Sequence, residues 1–115
     1  MGVTFWGRKG SQETLDAIAF LKKERYGADR VLDLDQTPPT LAEMVLLAKG
    51  LGDLADAIHP RHADAAPPSD GDPLGAWLAA DPRRMRDPLL LTPKGAQAGF
   101  REQRWRAFLD IGKGR

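Results

Sequence analysis

Two glycines, two cations and a serine meet in Gly7-Arg8-Lys9-Gly10-Ser11, between the apolar run VTFW (3–6) and a helical pattern that follows at once. Such a corner suits anion binding. Free N–H groups at a helix start, the positive end of the helix dipole, and Arg8 and Lys9 beside Gly10 and Ser11 attract phosphate, sulfate or a carboxylate. It also suits a nucleophile, but a serine needs a base, and no motif ties Ser11 to His59 or His62. The simplest role is structural: the Ser11 hydroxyl accepts a bond from a backbone N–H and caps the helix, with Arg8 and Lys9 solvated. The stretch GRKGSQET is not a phosphate-binding P-loop, because the four-residue spacer and the closing Gly-Lys-Ser/Thr are missing.

Other chemical groups are sparse. His59, His62 and Asp64 offer nitrogen and oxygen ligands, but Pro60 breaks the helix that would align the two rings, so they read as polar loop residues and no metal site is expected. Arg83, Arg84, Arg86, Lys94, Arg101, Arg104 and Arg106 crowd the last third of the chain against Asp81, Asp87 and Glu102. A cluster of this kind fits an acidic protein surface or a solvated, salt-bridged face; without interleaved aromatic residues or a groove-reading motif it does not argue for nucleic acid. Cysteine is absent from the 115 residues, which removes disulfides, thiolate ligands and thiol mechanisms together.

The elements that must position these groups follow from periodicity. After the strand at 3–6, Leu15, Ile18, Ala19 and Leu21, with Ala17 and Phe20 beside them, predict a helix from Ser11 to a stop at Gly27. RVLDLD (30–35) alternates as a strand with one wet face does, and Pro38-Pro39 should stop it. Thr40 and Glu43 form a capping-box pattern ahead of a stripe of Leu41, Met44, Val45, Ala48 and Leu51. GDLADAIHPR predicts a further short helix, residues 60–72 a loop, and Asp72-Pro73 the capped start of a helix with Leu74, Trp77 and Leu78 buried. PLLLT (88–92) and AQAGF (96–100), joined across a turn at Pro93-Lys94-Gly95, predict a hairpin, and Trp105, Phe108 and Leu109 the apolar stripe of a last helix. The order β-α-β-α-(α)-α-β-β-α fits an α/β domain with a mixed sheet between helices.

Size and composition agree with one soluble domain over 1–115: apolar residues are 42%, charged residues 29%, and the net charge is +1. No apolar run reaches the roughly 20 residues of a membrane span, and no signal-like leader opens the chain. A cytoplasmic location is the expectation.

Three stretches resemble the ArsC/Spx family of arsenate reductases. VLDLDQTPPTLAEM is similar to its strand, double proline and capped helix; LAADPRRMRDPLLLT to its helix end, basic linker and proline-led strand; GFREQRW to the lead-in to its last helix. With VTFWG the likeness runs from about residue 3 to 110. It implies a thioredoxin-like fold, a mixed four-stranded sheet flanked by helices with a helical insertion, and a cis peptide at Pro88. It also implies oxyanion-binding arginines. Arg61 and Arg101 stand where two of them would, while Asp87 occupies the third position, with Arg86 one step earlier.

The departure is decisive for chemistry. Family enzymes carry a catalytic cysteine in the loop that here is shortened and ends in Gly10-Ser11. A hydroxyl is not ionised near neutral pH and cannot exchange with disulfides. Trp6 closes the first strand next to the vacated corner; if it fills the space where a thiol and substrate would lie, the pocket is closed as well. The resemblance therefore implies a non-catalytic protein without cofactor, binding a protein partner; Spx-like relatives dock on RNA polymerase. The alternative is an anion site formed by Arg8, Lys9, Gly10, Ser11, Arg61, Arg86 and Arg101 that holds an oxyanion or glutathione while an external thiol performs the reduction.

Overall fold

The computed structural model describes residues 2–52, 54–59 and 71–110. In chain order it contains β1 (Thr4–Gly7), α1 (Gln12–Lys23), β2 (Arg30–Asp33), α2 (Leu41–Leu51), a 3-10 turn (Leu54–Ala57), α3 (Gly71–Ala80), a second 3-10 turn (Pro82–Arg84), β3 (Leu89–Thr92), β4 (Gly95–Ala98) and α4 (Glu102–Phe108). The sheet order is β2-β1-β3-β4. β1 runs parallel to β2 and antiparallel to β3, and β3 is antiparallel to β4. This is the mixed four-stranded sheet that the order of elements predicts.

Alternation along the strands builds a core on each face. Phe5 and its partner Leu90 point to one side, where Ala17, Phe20 and Leu21 of α1 meet Trp105 and Leu109. Trp6 and Leu89 point to the other, against Met44 and Leu47 of α2, Leu74 and Leu78 of α3, and Met85. Gly50 lets α2 approach β4, since a Cβ there would lie 2.6 Å from the Ala96 nitrogen.

Several local expectations are corrected. α1 ends at Lys23 and not at Gly27: Glu24 is the C-cap and Arg25 takes the left-handed turn, with φ 57°. β2 stops at Asp33, ahead of Gln36 and the prolines, because the Asp33 carboxylate accepts from the Asp35 and Gln36 backbone N–H groups at 2.9 and 3.3 Å and turns the chain off the ladder. β2 is an edge strand, and its Val31 is 64% exposed.

Both helix stripes are also rotated from their predicted positions. α1 buries Thr14, Ala17, Phe20 and Leu21 and leaves Leu15 and Ile18 exposed. α2 buries Met44 and Leu47, with Ala48 and Leu51 beside them, and exposes Leu41 and Val45. The short helix after α2 is a 3-10 turn. α3 begins at Gly71, one residue before Asp72, and the loop that precedes it lies outside the described residues. No described helix is long and apolar enough to cross a membrane.

Candidate functional site

The corner between β1 and α1 is built by Ser11 and Thr14. Ser11 is extended (φ −92°, ψ 125°), and its hydroxyl accepts from the Thr14 N–H at 3.3 Å, the bond of an N-cap. The buried Thr14 hydroxyl works in two directions: it accepts from the Arg8 N–H at 3.1 Å and donates to Asp87 Oδ2 at 2.8 Å. Gly7 makes this approach possible, because a Cβ there would fall 2.5 Å from Thr14 Cγ2.

Arg8 lies folded into the protein, with only 16% of its side chain exposed. Its Nη1 donates to Asp87 Oδ1 and to the Met85 carbonyl, both at 2.7 Å, and its Nη2 to the Pro82 carbonyl at 2.6 Å. Nε shares the Asp35 carboxylate at 3.1 and 3.3 Å. One guanidinium thus ties the β1–α1 turn to the segment that leads into β3. The Asp87–Pro88 peptide of that segment is cis.

Asp87 is buried, and burial disfavours its ionised form. Hydrogen bonds from the Ser11 and Thr14 hydroxyls and from Arg8 outweigh that penalty and hold the carboxyl below the ordinary aspartate range. The carboxylate of Asp87 is therefore the anion at the head of α1.

Outside it opens a cavity of about 720 Å³, lined by Arg8, Lys9, Gly10, Ser11, Gln12, Glu13, Asp33, Asp35, His59, Arg86 and Asp87. Arg86 reaches it across Gly99, whose φ of 74° and missing Cβ leave room for the guanidinium; a Cβ would lie 2.2 Å from Arg86 Nε. Arg86 Nη2 stands 3.8 Å from Glu13 Oε1, and the buried Nε has no hydrogen-bond partner among the described residues.

Of the sequence-derived site residues, the structure brings Arg8, Lys9, Gly10, Ser11 and Arg86 to one cavity. Arg101 is an exposed residue at the start of α4 and does not line it. Arg61 lies outside the described residues, as do His62 and Asp64; among the described residues no group of three or more metal-ligating side chains forms. Trp6 is fully buried in the core beneath α2 and α3 and does not line the cavity, so it does not close the corner.

Sequence reasoning missed Thr14, Glu13, Asp33 and Asp35. Thr14 carries a signal in hindsight, standing three residues past a cap; the acidic residues carry none. The basic cluster is split between exposed residues, Arg83, Lys94, Arg101 and Arg104, and the partly buried Arg84, Arg86 and Arg106. Arg83 pairs with Asp81, Arg84 lies 4.5 Å over the Trp77 ring, and Arg106 bonds Glu24 and Glu102.

No protein-family model matches the chain, and no curated protein does. Solved structures do. A protein described as ArsC-family related from Bacteroides fragilis superposes with a TM-score of 0.76 at 15% identity, over 94% of this chain and 98% of that one. An arsenate reductase from Vibrio cholerae gives 0.73 at 17%, over 96% and 97%. An arsenate reductase (ArsC) related protein from Brucella melitensis gives 0.58 at 18%, over 96% and 97%. The chain has the ArsC-type thioredoxin fold, over nearly its full length and without a cysteine.

Proposed function

We propose that this chain is a non-catalytic protein on the ArsC-type fold that acts by binding a protein partner. The observation that carries the first half is the head of α1, where a hydroxyl serves as helix cap and no thiol exists anywhere in the sequence. Reduction of arsenate through a covalent arsenic–sulfur adduct needs a thiolate, and serine oxygen cannot replace it.

Partner binding is supported by the flank of α1 and β2. Leu15, Ile18 and Val31 are exposed by 50%, 40% and 64% around a mostly apolar cavity of about 390 Å³. Apolar surface of this kind favours association. The basic segment is less suited to docking, because Arg84 and Arg86 are engaged within the fold.

Turnover of arsenate with glutathione and glutaredoxin tests the first half; the expected rate is that of the protein-free control, and any faster rate refutes it. For the second half, a protein recovered with the wild-type chain should be lost with Ile18→Glu and Val31→Glu and kept with Arg83→Glu. Retention by both apolar-site variants removes the flank from the proposal.

A further inference from the structure

We propose that Asp87 is the specificity-determining residue of the cavity at the head of α1: its carboxylate fills the seat that an oxyanion would take and sets the cavity against anions. The inference deepens the reading above and rests on it, since it states which ligands the thiol-free corner refuses.

The seat is complete without any external group. A guanidinium nitrogen of Arg8 lies 2.7 Å from one carboxylate oxygen, and the Thr14 hydroxyl 2.8 Å from the other. Ser11, the cap of α1, lines the cavity with Arg8 and Asp87. Guanidinium and hydroxyl donors beside a helix start form the donor set that receives a tetrahedral oxyanion. Here they converge on a side chain of the protein itself.

The carboxylate is also held in place from behind. Only 6% of the Asp87 side chain is exposed, and the preceding residue anchors the segment through the bond from Arg86 N–H to the Ala57 carbonyl at 2.7 Å. An incoming anion would have to displace a group tethered beside its donors, which competes intramolecularly.

Charge points the same way. Three cations, Arg8, Lys9 and Arg86, line the cavity against four carboxylates, Glu13, Asp33, Asp35 and Asp87. Without Asp87 the two signs would be equal in number, and Arg8 would lose its most buried counter-charge. A cavity that carries an excess of carboxylate disfavours phosphate and arsenate and tolerates neutral or cationic groups.

The test is a titration with inorganic phosphate of the wild type, Asp87→Ala, and Asp87→Ala combined with Arg8→Met, following the amide resonances of Ser11 to Thr14 and the melting temperature. The wild-type amides should stay in place. Asp87→Ala should bind saturably, at least about tenfold more tightly than the wild type, and its melting temperature should rise with phosphate; Arg8→Met should abolish both gains.

Saturable movement of the wild-type amides overturns the inference, as does a folded Asp87→Ala that gains nothing. If Asp87→Ala is unfolded alone, phosphate must restore its helical circular dichroism, and failure to do so overturns the inference as well. Turnover by the wild type would refute the proposed function without bearing on these titrations, so the two failures are separable.

Discussion

At the residue scale the head of α1 depends on a buried ion pair. Arg8 and Asp87 are 16% and 6% exposed at 2.7 Å, and each is bonded to further groups. Removing one partner strands the other, which costs about 3 kcal/mol for a buried pair. Asp87→Asn should therefore lower the unfolding free energy at neutral pH by about that amount, measured by urea denaturation. The pH dependence has a definite sign. Because the folded protein holds Asp87 below the ordinary aspartate range, its ionised form stabilises the fold above the unfolded-state value of about 3.9 and that contribution fades as pH falls through the folded value. The gap between wild type and Asp87→Asn should stay constant from pH 7 to about pH 4 and close at more acidic pH. A gap that widens on acidification would contradict this. Ser11 as a helix cap was legible in the sequence, because a cap is a local bond. The role of Arg8 was not. Its partners Pro82, Met85 and Asp87 lie 74 to 79 residues away, and only the fold brings them together.

At the element scale, end signals read more reliably than faces. The Thr40/Glu43 capping box forms as its spacing predicts, with the Thr40 N–H donating to Glu43 at 2.8 Å and the Glu43 N–H to Thr40 at 3.1 Å. Thr40→Ala should cost about 1 kcal/mol, visible as a lower melting temperature with the fold retained. The faces of α1 and α2 were misplaced because both helices carry more apolar residues than one stripe needs. Periodicity alone could not distinguish Met44 and Leu47, which pack, from Leu41 and Val45, which do not. The two glycines Gly50 and Gly10 behave oppositely for the same reason of packing. Gly50→Ala must push its methyl into the β4 backbone and should destabilise by about 2 kcal/mol, whereas a Cβ at Gly10 meets nothing within 4 Å. Gly10→Ala should change stability by less than about 0.5 kcal/mol. Equal effects of the two substitutions would show that the α2–β4 contact is looser than described.

At the scale of the whole molecule, the fold is what the chain shares with ArsC-type structures at 15 to 18% identity, and what its sequence resembled through two prolines, a capping box and a proline-led strand. The fold was legible because these punctuation marks are strong and bracket the helical middle of the chain, Pro38-Pro39 and Thr40/Glu43 before it and Pro88 after it. The cavity at the head of α1 was legible only in part: Lys9, Ser11 and Arg86 were visible, while Glu13, Asp33 and Asp35 enter it from surfaces whose meeting depends on β2 lying beside β1. The edge position of β2 also leaves the apolar flank uncovered. Val31→Lys together with Ile18→Lys should reduce binding of a hydrophobic dye with little change in melting temperature, since both side chains are already exposed. A large drop in melting temperature would mean that this flank is internal packing.

The placement of the indoles has an optical consequence. Trp6 and Trp105 are both completely enclosed, yet they belong to cores on opposite sides of the sheet, and Trp77 is only partly covered under Arg84. With Trp77 replaced by Phe, two further proteins, each keeping one of the enclosed indoles, would report the two halves of the interior by separate fluorescence colours. Coincident red shifts on heating would mean that the sheet melts as a single wall; staggered shifts would reveal which side gives way first.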